Sequence, residues 1–159
     1  MSLTIAHKLA KYKINHKKIN SLKKEEYKFK LDKKNTYISF FKKIQKLKQN
    51  LNQLLKRLLK NNKVVHGYGA STKGNVLLQY FNINNRIVPM IADRNPEKTN
   101  LLTPGTHIKI TSEEISRKIL PNYYLVLPWH FKNEILQREK KIRKKGTKFI
   151  FPLPKLEIK

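Results

Sequence analysis

The chain has 159 residues, 36 Lys+Arg against 10 Asp+Glu, a formal net charge of +26 and a pI near 10.3. That length holds one domain with room for a core and little more. With no cysteine it excludes a disulfide framework, a thiolate metal site and a cysteine nucleophile; no apolar run approaches a membrane span and the amino end lacks a signal-peptide core, so a cytoplasmic protein is expected.

The charge would ordinarily point to nucleic acid or an anionic membrane surface. It is unevenly spread: residues 1–62 hold 18 Lys+Arg against Glu25, Glu26 and Asp32, and residues 63–159 hold 18 against seven acids. The bases are 30 Lys and 6 Arg, whereas bidentate recognition of phosphate or guanine favours Arg. Abundant Lys, Asn and Ile together is also what codon drift in an A+T-rich genome produces.

In chain order, residues 1–35 are Lys-rich with scattered Ile, Leu and Tyr and no sustained period, and read as a loosely ordered or partner-dependent arm. From Thr36, residues Phe40, Phe41, Ile44, Leu47, Leu51, Leu54, Leu55, Leu58 and Leu59 recur at three- and four-residue steps. That stripe predicts a long amphipathic helix over 36–61, stopped at Asn61-Asn62 and packed on its own domain. Strands are then predicted at Val64–Tyr68, Ile87–Ala92, His107–Ile110, Tyr123–Leu127 and Phe149–Phe151. Helices are predicted between them at Gly74–Phe81, from Ser112 as N-cap, and at Lys132–Lys145 ended by Gly146. Such alternation predicts an α/β fold, with a small Rossmann-like parallel sheet of about five strands flanked by helices. The long helix precedes it, and residues 36–159 form the domain.

Residues 63–75 read Lys-Val-Val-His-Gly-Tyr-Gly-Ala-Ser-Thr-Lys-Gly-Asn, a buried strand breaking into a glycine-rich turn and a helix start. Gly67 and Gly69 permit close backbone approach, and the helix start offers free N–H groups. Ser71, Thr72 and Lys73 add hydroxyls and a positive charge, so the loop could cradle a pyrophosphate. It matches neither standard motif: Thr72 stands where G-x-G-x-x-G needs glycine, and Lys73-Gly74 reverses the Walker order. A tight turn packed without ligand is the alternative. Asp93 ends the second strand, where dinucleotide-binding folds place the acid that accepts ribose hydroxyls. With Asn95 it could instead cap the turn that Pro96 forces.

Thr103-Pro104-Gly105-Thr106 reads as a type II turn with a structural role. Leu127-Pro128-Trp129-His130-Phe131 follows the fourth strand and contains the only Trp. Trp129 and His130 are expected in the same crevice as the glycine loop, at the carboxyl ends of the strands. Trp129 could stack on a base or sugar there, or seal the sheet end. His66, inside the first strand, reads as a packed histidine, and the five scattered histidines form no plausible metal cluster.

Taken in order, Gly67-Tyr-Gly-Ala-Ser-Thr-Lys-Gly-Asn, Asp93-Arg-Asn-Pro, Thr103-Pro-Gly-Thr and Leu127-Pro-Trp-His-Phe resemble the carboxyl-terminal domain of the sugar-nucleotide C-methyltransferases. The resemblance covers roughly residues 30–159, including the closing Lys148-Phe-Ile-Phe-Pro-Leu-Pro segment. It implies a Rossmann-like domain that helps hold the nucleotide end of a dTDP- or other NDP-sugar. The binding residues expected are Gly67, Gly69, Ser71, Thr72, Lys73, Asn75, Asp93, Arg94, Trp129 and His130. Family members also carry a cysteine-ligated zinc domain and a central S-adenosylmethionine-binding domain, and neither is in this sequence. The expectation is therefore a binding domain without its own catalytic residue or cofactor, acting with a separate methyltransferase chain or as a fragment of one. A basic nucleic-acid-binding protein on a Rossmann-like sheet is the alternative. A nicotinamide-dependent oxidoreductase fits less well, given Thr72 and no second substrate domain.

Overall fold

The computed structural model describes residues 5–159, and the chain divides into two compact units, Met1–Lys43 and Ile44–Lys159. In the first unit a helix α1 spans His16–Lys28, capped by Asn15, whose Oδ1 accepts from the Lys18 N–H at 3.0 Å. The sequence showed no period here because Lys dilutes the apolar positions, and no residue of α1 is buried. The turn into the next helix is held by Thr36 Oγ1 and Tyr37 OH, which donate to the Lys30 and Leu31 carbonyls at 2.7 and 2.6 Å.

Helix α2 runs Lys34–Lys60, close to the predicted 36–61. Asn62 follows at φ +55°, the left-handed stop that Asn tolerates better than most residues. Leu51, Leu54, Leu55 and Leu58 are buried, while Phe40 and Phe41, on the same sequence stripe, are 64% and 55% exposed. The periodic stripe is thus longer than the buried face.

In the second unit the strands are β1 Val65–Tyr68, β2 Met90–Asp93, β3 Lys109–Ser112, β4 Tyr123–Val126, β5 Lys148–Phe151 and β6 Glu157–Ile158. They form one sheet in the order β3-β2-β1-β4-β5-β6. The first five are parallel, and β6 adds an antiparallel edge on β5. The chain builds outward from β1 through β2 to β3, then returns to the other side of β1 with β4. That reversal puts the topological switch point between β1 and β4, where open α/β sheets place ligands.

Helices α3 Thr72–Phe81, α4 Glu113–Ile119, α5 Lys132–Arg138 and α6 Lys140–Lys144 complete the layers. Side chains alternate between the two faces of each strand, as the pleat requires. On one face Val65, Ile91, Leu125 and Ile150 join Leu51 and Leu55 of α2 and Leu77, Leu78 and Phe81 of α3. On the other face Tyr68, Tyr124, Val126 and Phe149 join Ile135 and Ile142. Tyr68, Tyr124 and Phe149 meet pairwise with ring centroids 5.3–5.7 Å apart, tilted as aromatic quadrupoles favour.

Two expectations are corrected. The helix predicted over 132–145 is broken at Glu139 (φ −93°, ψ 20°), a residue only 3% exposed. The Thr103–Thr106 turn has Gly105 at φ +74°, as type II requires, but its closing bond runs from the His107 N–H to the Thr103 carbonyl at 3.0 Å. Gln79 Nε2 donates to the Pro104 carbonyl at 2.9 Å, consistent with the structural role expected of that turn. Among the described residues no helix is long and apolar enough to cross a membrane.

His66 is buried in β1, with Nδ1 2.8 Å from Ser116 Oγ, which is itself 2.8 Å from the Tyr124 hydroxyl. Burial disfavours the imidazolium and lowers the His66 pKa to about 4. The unfolded chain therefore binds this proton first as pH falls below about 6.5, the ordinary histidine value. The stability linked to neutral His66 is fully present above that pH and is lost progressively down to about pH 4, up to about 3 kcal/mol. Urea denaturation at pH 7.5 and 4.5 should show this loss, and His66→Gln should flatten it.

Candidate functional site

A cleft of about 600 Å³ opens at the carboxyl ends of β1, β2 and β4, within the size range of small-molecule sites. Two glycines allow the chain to close around its base. A Cβ on Gly69, at φ +78°, would lie 2.8 Å from Pro128 Cγ and Cδ. A Cβ on Gly74 would lie 2.5 Å from Leu127 Cβ. Helix α3 thus packs directly on the end of β4, the task that the third glycine of a dinucleotide fingerprint performs. Here that task falls to Gly74, two residues beyond Thr72.

The loop between β1 and α3 is held shut by its own hydrogen bonds. Gly69 N–H donates to the Ala92 carbonyl at 2.7 Å, and Ser71 N–H to the Gly69 carbonyl at 2.9 Å. Ala70 N–H donates to Asp93 Oδ2 at 2.7 Å, while Asp93 Oδ1 accepts from Asn95 N–H at 2.8 Å. Lys98 Nζ donates to the Ala70 carbonyl at 2.9 Å and stands 3.8 Å from Asp93 Oδ2. The Asp93 side chain is only 11% exposed. The aspartate therefore clamps the glycine loop to the end of β2, and both its oxygens are engaged.

Ser71 is the N-cap of α3, its Oγ accepting from Gly74 N–H at 3.1 Å. Asn75 N–H donates to the Ser71 carbonyl at 3.0 Å. The Thr72 and Lys73 N–H groups belong to the first turn, where a helix has no internal acceptors to offer. The partial positive charge of the helix end adds to theirs.

On the opposite wall stands a compact ionic group. Glu139 Oε1 accepts from the Tyr68 hydroxyl at 2.8 Å, from Arg117 Nη2 at 2.6 Å and from Arg138 Nε at 3.2 Å. Glu113 accepts from Arg117 Nη2 at 2.8 Å and from Arg138 Nη2 at 2.5 Å, and Arg138 Nη2 also donates to the Tyr68 hydroxyl. Burial alone would raise the Glu139 carboxyl, but hydrogen bonds from Arg117 and Tyr68 and the charge of Arg117 hold it below the ordinary carboxylate range. Burial, then the bond to Glu139, pushes the Tyr68 hydroxyl well above the ordinary phenol range. Tyr68 consequently stays a neutral donor.

Of the residues expected to bind ligand, Gly69, Ser71, Asp93 and Arg94 line the cleft together. Gly67 lies inside β1, where a Cβ would come within 2.5 Å of Ile91 Cγ1; it makes room for a neighbouring strand's side chain. Thr72, Lys73 and Asn75 sit on the first turn of α3 outside the lining. Asn75 Oδ1 is buried and has no hydrogen-bond partner among the described residues. Trp129 is half-buried against both faces of the core, and His130 is exposed beside it. The lining aromatic from that segment is Phe131.

Sequence reasoning missed Lys98, Glu113, Phe131 and Arg138, all part of the lining. One signal was available: Ile135, Glu139 and Ile142 fall on one helical stripe, so an acid stands where that stripe calls for an apolar residue. Among the described residues no three His, Cys, Asp or Glu side chains gather as metal ligands.

A family model for the C-methyltransferase C-terminal domain matches residues 1–154, taking in the Lys-rich first unit as well as the sheet. C-methyltransferase NovU of Streptomyces niveus is 30% identical over 122 residues, which is 77% of this chain and 29% of that protein. The chain spans less than a third of the length of this curated relative.

The clamp is open to test. Asp93→Ala leaves the N–H groups of Ala70 and Asn95 without their acceptor and should destabilise the protein by about 2 kcal/mol in urea denaturation. Amide exchange in loop 69–71 should quicken at the same time, and Asp93→Asn should be milder because it keeps an acceptor oxygen.

Proposed function

This chain belongs to the C-methyltransferase C-terminal domain family, and on that premise we propose that it holds a nucleotide-sugar for a sugar C-methyltransferase. The cleft at the β1–β4 switch point is the proposed site. The observation that carries the reading is the lining of that cleft, in which Ser71, the N-cap of α3, and Arg94 from the end of β2 stand together. Arg94 is exposed and forms no ion pair among the described residues, leaving it free for an anion. A diphosphate offers the charge and the acceptor oxygens that a helix amino end and a guanidinium bind.

The chain's contribution is positioning. Ser71 and Arg94 would take the diphosphate, while the Tyr68–Glu139–Arg138 group keeps the facing wall rigid. S-adenosylmethionine would supply the methyl group from a methyltransferase module, on the same polypeptide or a separate one. The cysteine ligands of the family's zinc are not in this sequence, and no step is assigned to that metal. Transfer to a sugar carbon also requires a base, which we place in the methyltransferase module. The proposed class of partner is an NDP-sugar, a dTDP-sugar first, together with that module.

The net charge of +26 favours one second reading, a nucleic-acid-binding protein. It requires binding near physiological ionic strength with a steep salt dependence from counterion release.

Calorimetric titration with dTDP and dTDP-sugars tests the first reading. The chain should bind both, and Arg94→Glu should weaken binding by roughly tenfold or more through loss of a charge-assisted contact. A folded chain that ignores millimolar dTDP and dTDP-sugar would overturn the proposal. Oligonucleotide binding that persists at 150 mM salt on the order of micromolar Kd would favour the second.

A further inference from the structure

The two sides of the cleft differ in the surface they leave free, and that difference orients a ligand. The β2 side is polar and presents Arg94 beside Asn95 and Lys98. The β4 side presents Pro128 and the ring of Phe131, which is 48% exposed, with Glu134 and Arg138 of α5 beside the buried Ile135. Tyr68 also touches the cleft but is 2% exposed. Its ring is already packed against Tyr124 and Phe149, with the Arg138 guanidinium 5.4 Å from its centroid. Phe131 is therefore the lining aromatic with ring surface to offer.

The acid at the end of β2 would ordinarily draw the ribose to that side. Asp93 is poorly placed to do so. Its two oxygens hold Ala70 and Asn95, and its side chain is almost covered. The ribose and base consequently have no free carboxylate at β2, whereas the β4 side has an open ring. A base presents a flat face that stacks on such a ring.

We propose that a nucleoside diphosphate lies across the switch point with its diphosphate at Ser71 and Arg94 and its base stacked on Phe131, so that Phe131 is the base-binding residue. This orientation is the reverse of the one in which Asp93 holds the ribose. It rests on the nucleotide-sugar reading above and adds which wall receives the base. It also leaves the sugar to extend from the other end of the diphosphate, toward whatever carries out the methyl transfer.

The experiment is calorimetric titration of the full chain with dTDP and, separately, inorganic pyrophosphate, comparing wild type with Phe131→Ala, Phe131→Trp and Arg94→Ala. Phe131→Ala should weaken dTDP binding roughly tenfold and leave pyrophosphate binding unchanged, since base–aromatic stacking is the contact removed. Phe131→Trp should retain the wild-type affinity, and Arg94→Ala should weaken both ligands. Wild-type dTDP affinity in Phe131→Ala would overturn the orientation and leave the nucleotide-sugar reading standing. A loss of both ligands in Phe131→Ala would also overturn it, because Phe131 would then support the loop and not the base. A wild-type chain that binds neither ligand would remove the nucleotide-sugar reading and this inference together.

Discussion

The site depends on how closely the ends of β1 and β4 approach one another. Gly69 passes within contact of the Pro128 ring, and Gly74 sets α3 on Leu127, at spacings no side chain could share. Those contacts fix where the first strand hands over to its helix and where the fourth strand stops. The reversal of strand order at this point leaves space above the sheet, because α3 and α5 depart on opposite faces. The β1 and β4 sides of the cleft are positioned by that spacing.

Around this hinge of the topology the protein has arranged two kinds of polar support. On the β2 side the support is backbone hydrogen bonding to one carboxylate, Asp93, which ties the glycine loop to the turn after β2 and stands beside Lys98. On the other side it is charge neutralisation inside the protein. Taking a carboxylate out of water costs several kcal/mol unless its lone pairs are met, and Glu139 has Arg117, Arg138 and the Tyr68 hydroxyl to meet them.

Much of this was legible in the sequence where the signal was periodic. The buried part of α2, the five parallel strands and the cap at Ser112 follow from spacing of apolar residues and from capping chemistry. The parts that were not legible lack a period. The two-residue β6 follows two prolines and carries no alternation. The stretch Trp129–Phe131 forms a single 3-10 turn, in which neighbouring side chains point about 120° apart; nothing in the sequence tells which of its three rings faces the cleft. Asp93 stands where a ligand-binding acid would, and residue type cannot distinguish an oxygen free for a ribose from one held by the backbone. The distinction lies in the conformation of loop 69–71.

The ionic group around Glu139 also constrains how this protein can change over time. Losing the Glu139 carboxylate leaves Arg117 and Arg138 sharing Glu113 alone, and losing either arginine leaves a buried anion short of partners. Each single replacement is worse than the coordinated replacement of the set by a well-packed apolar cluster. Related sequences should therefore carry the group whole or not at all, with the identities at 68, 113, 117, 138 and 139 inherited as a block. Replacement by lysine meets a barrier at Arg117 and Arg138, because a lysine cannot serve two carboxylates with the same planar fork. Two of the chain's six arginines are kept by that geometry.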